Sequence, residues 1–234
     1  MLWLLVASFF LWCAFREIRA SMVAPPGYES PRPVDEPYLA LLLILAALFA
    51  WPPLHREYFE HFLSTKATEL ADDHRAHVHC NTLLDTLFDP EMLAGAHASP
   101  TTGKIAIQPP GCEVLSAYLR HPSGATPQEL WSLGLFTHES MHVRGELNEA
   151  KTECEAVQRN YRAAKLLGVP DRIARQNALD YYNVVYKGRQ GAGPLQAMYY
   201  SGDCAPGKAM DEHLSDSIWT DSITADDAGY PHRP

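Results

Sequence analysis

No run of lysine or arginine occurs in this sequence. Its 19 basic residues are scattered among 28 acidic ones, for a formal charge of −9. Nucleic-acid binding needs a clustered positive footprint, so no nucleic-acid partner is expected. Nothing repeats at a fixed period and no low-complexity tract occurs, so repeat architectures and biased segments are set aside. A glycine-rich phosphate loop is missing, and so is any serine-nucleophile pattern. Cysteine is scarce, with five in 234 residues. That length has room for one well-packed domain plus appendages, not two large domains.

Long apolar runs, by contrast, fill the first quarter. "MLWLLVASFFLWCAF" (1–15) is followed by Arg16 and Arg19, and "PYLALLLILAALFAWPPL" (37–54) by His55 and Arg56. Each is at or just below the ~20 residues that span a bilayer core. The first could also be a signal peptide, although it has no basic n-region and no small-x-small cleavage site. The second leaves no polar face for water, which argues against a helix in a soluble core. Residues 1–54 are therefore expected to be a membrane anchor of one or two helices in contact with lipid. Arg16, Arg19 and Arg32 place the intervening linker in the cytoplasm and the chain after residue 54 outside.

The cysteines agree with that orientation. Cys13 lies in the first apolar stretch, and the other four lie beyond the anchor. An even number suits two disulfides in an oxidising compartment. Nearest-neighbour pairing suits a small helical domain, which favours Cys80–Cys112 and Cys154–Cys204.

After the anchor the pattern is mainly α with a short β element. Helical segments are expected from about Arg56 into the seventies and around "NTLLDTLF" (81–88). "KIAIQ" (104–108) alternates and then meets Pro109-Pro110-Gly111, which predicts a short edge strand. Thr126-Pro127-Gln128-Glu129 is a capping box with proline at the first helical position, and the helix it opens meets Gly145. Asn148 caps a second helix that ends near Gly168, and a third is expected over about 171–187. Residues 55–222 would form the domain, with 223–234 a solvated tail.

The chemistry concentrates in "THESMHVRGELNEAKTEC" (137–154). On a helix, His138 and His142 differ by about 40° in azimuth and roughly 6 Å in height, so both imidazoles can reach one ion. Glu139 lies about 100° from His138, beside the place where a metal-activated water would sit. A catalytic zinc usually takes three protein ligands and keeps one position open. Were the helix to run straight on, Glu149 would stand about 10 Å beyond His142 and could not join them. A turn at Gly145 would bring it back.

These residues resemble the zincin metallopeptidases. H-E-S-M-H is similar to their H-E-x-x-H motif, and N-E-A-K-T-E is similar to the Asn-Glu-x-x-Ser/Ala-Asp signature of the gluzincin branch. The arrangement also looks like small membrane-anchored metallopeptidases of actinobacteria. The resemblance covers about residues 137–156. It implies one zinc ion held by His138, His142 and Glu149, with Glu139 as general base and Glu153 supporting a ligand histidine. Only six residues separate His142 from Glu149, fewer than in thermolysin-like members. Gly145 instead matches the metzincin glycine, but Asn148 stands where the third histidine of that pattern would be. Glu153 and Glu146 therefore remain alternative third ligands.

The resemblance further implies hydrolysis of a peptide or protein substrate whose backbone is aligned along an edge strand, a role that would fall to Ile105–Gln108. The pairs Tyr181-Tyr182 and Tyr199-Tyr200, together with His213, could supply a donor to an oxyanion, with Tyr182, Tyr200 and His213 the candidates, although packing as core or surface aromatics is the favoured reading of each. "HRAHVHC" (74–80) is read as a surface cluster rather than a second metal site. The alternative to an enzyme is a membrane protein in which zinc, or no metal, braces two helices as a binding or assembly module. Nothing in the sequence bears on the oligomeric state.

Overall fold

A 35-residue helix, Glu36–Leu70, carries the second apolar run and continues beyond it (α2). The structure, a computed structural model, describes residues 2–23 and 30–219. The expected tail over 223–234 lies outside the described residues. Two compact units divide the chain, Met1–Phe59 and Glu60–Pro234. The chain is mainly helical with a small three-stranded sheet, and one long apolar helix precedes the helical core.

In the first unit, α1 (Leu2–Met22) packs beside the start of α2. Ala7, Ala14, Leu42 and Ala46 are buried there and Trp3 and Phe10 pack on Phe49, while Phe9, Leu43, Ile44 and Leu48 are exposed. The Arg32 guanidinium spans both carboxylate oxygens of Glu17 at 2.8 Å, tying the linker to α1. Among the described helices, α2 alone is long and apolar enough to cross a membrane, and its apolar stretch is almost entirely uncovered by protein. The α1 helix has the length, but Arg16, Glu17 and Arg19 fall within it. The sequence suggested a break near Leu54, yet α2 runs through Pro52 and Pro53. The two prolines can donate no main-chain hydrogen bonds there.

The second unit starts from the last turns of α2. Strand β1 (His77–Cys80) lies along them, and α2 side chains serve its outer edge. Ala76 N–H donates to Thr68 Oγ1, Val78 N–H to Ser64 Oγ and Cys80 N–H to Glu60 Oε1, at 2.8–2.9 Å. A short helix, α3 (Leu83–Leu87), separates β1 from β2 (Ala96–Ala98). The sheet order is β1-β3-β2, where β3 is Lys104–Ile107. It pairs parallel with β1 and antiparallel with β2.

That order corrects one expectation. The strand of "KIAIQ" is central, and β2 forms the free edge. Ile105, Ala106 and Ile107 are all buried, so both faces of β3 are covered. Its alternation is only apparent, because the residue between the isoleucines is itself small and apolar.

Helix α4 (Gly111–Arg120) has no side-chain cap at its start and no counterpart in the sequence reading. The Cys80–Cys112 disulfide joins that start to the end of β1. Helix α5 (Pro127–Arg144) begins at the capping box, with Thr126 Oγ1 accepting from Glu129 N–H and the Glu129 side chain returning to Thr126. It lies between the sheet and α6 (Glu149–Leu166), so it is buried on most of its circumference. Helix α7 (Asp171–Asp180) passes into a π-helical stretch, Tyr181–Tyr186, and then a 3-10 turn, Lys187–Arg189. The sequence suggested a regular helix to about 187; the widened turns instead bury both Tyr181 and Tyr186.

Residues 190–219, which include α8 (Pro194–Ala197), are largely irregular and partly cover α6. The Cys154–Cys204 disulfide fastens them. Arg159 on α6 is 2% exposed and makes a two-pronged pair with Glu212 at 2.6 and 2.9 Å. This face of α6 is covered rather than open to water.

Candidate metal centre

Gly145 ends α5 in the left-handed region, at φ 116°, where a side chain would be strained. Its N–H donates to His142 O and Met141 O, closing the helix. Three residues later the Asn148 side chain accepts from Lys151 N–H and starts α6. The chain therefore reverses within a few residues, and the first turn of α6 comes back beside the histidines.

At that corner His138 Nε2 lies 3.1 Å from His142 Nε2 and 3.1 Å from Glu149 Oε2. His142 Nε2 lies 3.5 Å from the same carboxylate oxygen. Tetrahedral ligands about 2.0–2.1 Å from a zinc ion stand roughly 3.3 Å apart, so the triangle has the right size. Among the described residues this is the one set of His, Cys, Asp and Glu side chains close enough to hold a metal ion.

The outer ring nitrogens are engaged. His142 Nδ1–H donates to Glu146 O at 2.7 Å, an acceptor that fixes the proton on Nδ1. His138 Nδ1 meets Glu153 Oε2 at 2.8 Å. Both Nε2 lone pairs are thereby directed at the Glu149 carboxylate, an all-acceptor cluster that only a cation or a proton can reconcile. Burial alone would lower the pKa of His138, but hydrogen bonds to Glu149 and Glu153 outweigh it and push it up to about 10. The same histidines hold Glu149 down to about 2. The donor set is chemically compatible with zinc.

Glu139 is 3% exposed, and its Oε2 has no hydrogen-bond partner. Burial lifts its carboxyl to about 7, against the lowering pull of His138 and His142. An orphaned carboxylate oxygen beside three convergent donors is a natural acceptor for a water's proton.

Glu153 is supported from a third direction. Its Oε1 accepts from Tyr181 O–H at 2.5 Å and pairs with Arg189 Nη1 at 2.6 Å. Burial would raise its pKa, but His138 and Arg189 hold it below the usual range, so it remains an anion. No motif points to Tyr181 or Arg189 in this role. One signal was present: Gly134, in the middle of α5, where a Cβ would fall 2.3–2.5 Å from the Tyr181 ring. A glycine inside a helix often marks such a close approach.

A cleft of about 500 Å³ opens onto His138, His142, Glu149 and Glu139. The β2 residues Ala96–Ala98 form part of its wall. Gln108 N–H donates to Gly95 O and Ser99 N–H to Lys104 O. The antiparallel alternation then turns the main-chain groups of Ala96 and Ala98 away from β3, toward the free edge.

The expected oxyanion donors lie elsewhere. Tyr182 O–H donates to Cys204 O, and the Tyr200 ring packs on Tyr186. His213 is exposed beside Asp211. None of the three lines the cleft, whereas Tyr199 does, with its ring 5.6 Å from that of His138. Adjacent tyrosines in an irregular segment point in different directions, and no periodicity identifies the inward one. Glu146 is turned outward to Lys151 and offers the site only its carbonyl. The histidines of 74–80 form no metal cluster among the described residues: His79 faces Glu60 and Asp85, and His74 bonds Ala71 O.

The chain matches no protein-family model, no curated protein and no solved structure.

Proposed function

We propose that the chain is a membrane-anchored, zinc-dependent peptidase of the zincin type, with its second unit outside the cytoplasm. The observation that carries this reading is the triangle of His138, His142 and Glu149 at 3.1–3.5 Å, opening into a cleft beside the buried Glu139. His138, His142 and Glu149 would hold the ion. A zinc ion so held supplies a Lewis acid and lowers the pKa of a bound water.

The protein's own groups do the rest. Glu139 takes a proton from the attacking water and returns it to the leaving amine. Glu153, kept anionic by His138 and Arg189 and bonded by Tyr181, holds the His138 Nδ1 proton and hence its tautomer. Tyr199, which lines the cleft beside His138, would donate to the developing oxyanion. Burial and the carboxylates of Glu149 and Glu139 raise its pKa, so the phenol keeps its proton. The free edge of β2, rather than of β3, aligns the substrate backbone by strand addition. The one membrane-length helix and the two disulfides support anchoring with the second unit in an oxidising compartment.

A metal brace would close its coordination with a fourth protein ligand. No fourth His, Cys, Asp or Glu joins the three among the described residues, and the donors line an open cleft. That favours the enzyme over an assembly module. The test is zinc content and peptide hydrolysis by the full chain, wild type beside His142→Ala and Glu139→Gln. His142→Ala should lose zinc. Glu139→Gln should keep it and lose roughly 10²–10⁴-fold in rate. A Glu139→Gln protein as fast as wild type would falsify the mechanism.

A further inference from the structure

The segment from Asn81 to Gly95 is built inside out for a protein in water. Its large apolar side chains, Leu83, Leu84, Leu87, Phe88, Met92 and Leu93, are between 50 and 96% exposed. Asn81, Thr86 and Asp89 turn inward beneath them. Asn81 Nδ2 and Gln108 Nε2 both donate to Asp89 Oδ2 at 2.8 Å, and Thr86 O–H donates to Gln108 Oε1 at 2.8 Å. Thr82 and Asp85 are locked together in a capping box. The leucines are therefore held outward by a bonded scaffold beneath them. A contiguous apolar patch of this kind marks a surface that something apolar covers.

The chain path indicates the occupant. As β1 runs from Ala76 to Cys80, its partners on α2 run from Thr68 back to Glu60. The segment that follows Cys80 is thus delivered to the Glu60 end of α2. Glu60 stands only six residues past Leu54, where the apolar run ends. Six residues of chain reach at most about 20 Å, so this part of the unit is tethered close to the surface of any bilayer that α2 crosses. The segment has no lysine or arginine, so its affinity would come from apolar burial rather than attraction to anionic headgroups.

We propose that residues 83–93 form a second membrane contact, seated in the interfacial layer of the bilayer that α2 spans. Leu93 also lines the cleft, so this contact brings the mouth of the candidate site to the lipid surface. The inference rests on the anchoring role of α2.

The test is site-directed spin labelling of the full chain, with Cys13→Ser, in phosphatidylcholine vesicles with and without phosphatidylglycerol. Labels at Leu84→Cys and Phe88→Cys are compared with Leu43→Cys on α2 and with Glu113→Cys on the exposed face of α4. The expected result is oxygen accessibility exceeding nickel-complex accessibility at 84 and 88, as at 43, with no dependence on phosphatidylglycerol. If 84 and 88 resemble 113 while 43 reports lipid, the second contact is wrong and the anchor stands. If 43 also resembles 113, the anchor is wrong and the second contact falls with it. Labels at 84 and 88 that are immobile and shielded from both reagents mean that protein covers the patch, and the lipid assignment is overturned.

Discussion

Each oxygen of the Glu153 carboxylate has its own partners: Oε2 receives His138, while Oε1 takes Tyr181 and Arg189. A buried anion with unequal demands on its two sides orients whatever it touches, because releasing any partner leaves charge uncompensated. Arg189→Met should therefore weaken zinc retention by about 10–100-fold without removing any direct ligand, as a competition titration with a chelator would read. Tyr181→Phe should do the same more mildly. Gly134→Ala places a methyl group inside the Tyr181 ring, so it should lower stability by about 1–3 kcal/mol in a thermal melt and weaken zinc binding as well. A Gly134→Ala protein with unchanged zinc affinity would show that the Tyr181 contact is dispensable to the site.

Elements set which of these residues the sequence could disclose. His138, His142, Glu149 and Glu153 lie on two consecutive helices whose caps, Thr126, Gly145 and Asn148, are all explicit in the sequence. Helical arithmetic then brings the histidines together, and the glycine supplies the corner. Tyr181 and Arg189 come from a third helix that widens into π geometry, and no local motif announces that. The edge strand was misplaced for a related reason. Three-residue β2 has too few positions to show a period, so the longer β3 drew the assignment although it is buried on both faces. Two element-scale outcomes follow. Gly145→Ala forces an L side chain to φ 116° and should cost about 1–3 kcal/mol, with weaker zinc binding because the corner carries Glu149. Ala98→Pro removes an outward main-chain donor from the β2 edge. It should raise KM for peptides while zinc content stays at the wild-type level; an unchanged KM would remove β2 from substrate alignment.

At the scale of the whole molecule, the last described segment belongs to the core of the second unit even though it is irregular. Arg162 pairs with Asp216 through two 2.7 Å contacts, Arg159 pairs with Glu212, and Cys154–Cys204 closes a loop with a sequence separation of 50. The Arg162 hydrogen bonds hold Asp216 below its ordinary range, and Arg159 overcomes burial to do the same for Glu212. Their stabilisation is complete above the unfolded carboxylate pKa of about 4 and disappears as pH falls through the lowered folded values. Melting midpoints should thus hold from neutral pH to about pH 5 and drop below about pH 4, with a shallower drop in Asp216→Asn. Reduction of Cys154–Cys204 should cost about 4 kcal/mol in the loop-entropy account, read as a shift in thermal midpoint.

The same bond lies immediately after Glu153 on one side and a few residues beyond Tyr199 on the other. It is therefore the clasp between the back of the candidate metal centre and the wall of the cleft. A freshly translated chain in a cytosol rich in glutathione has no such clasp. The reduced chain is therefore expected to bind zinc more weakly than the oxidised one, which a chelator competition on both forms would read.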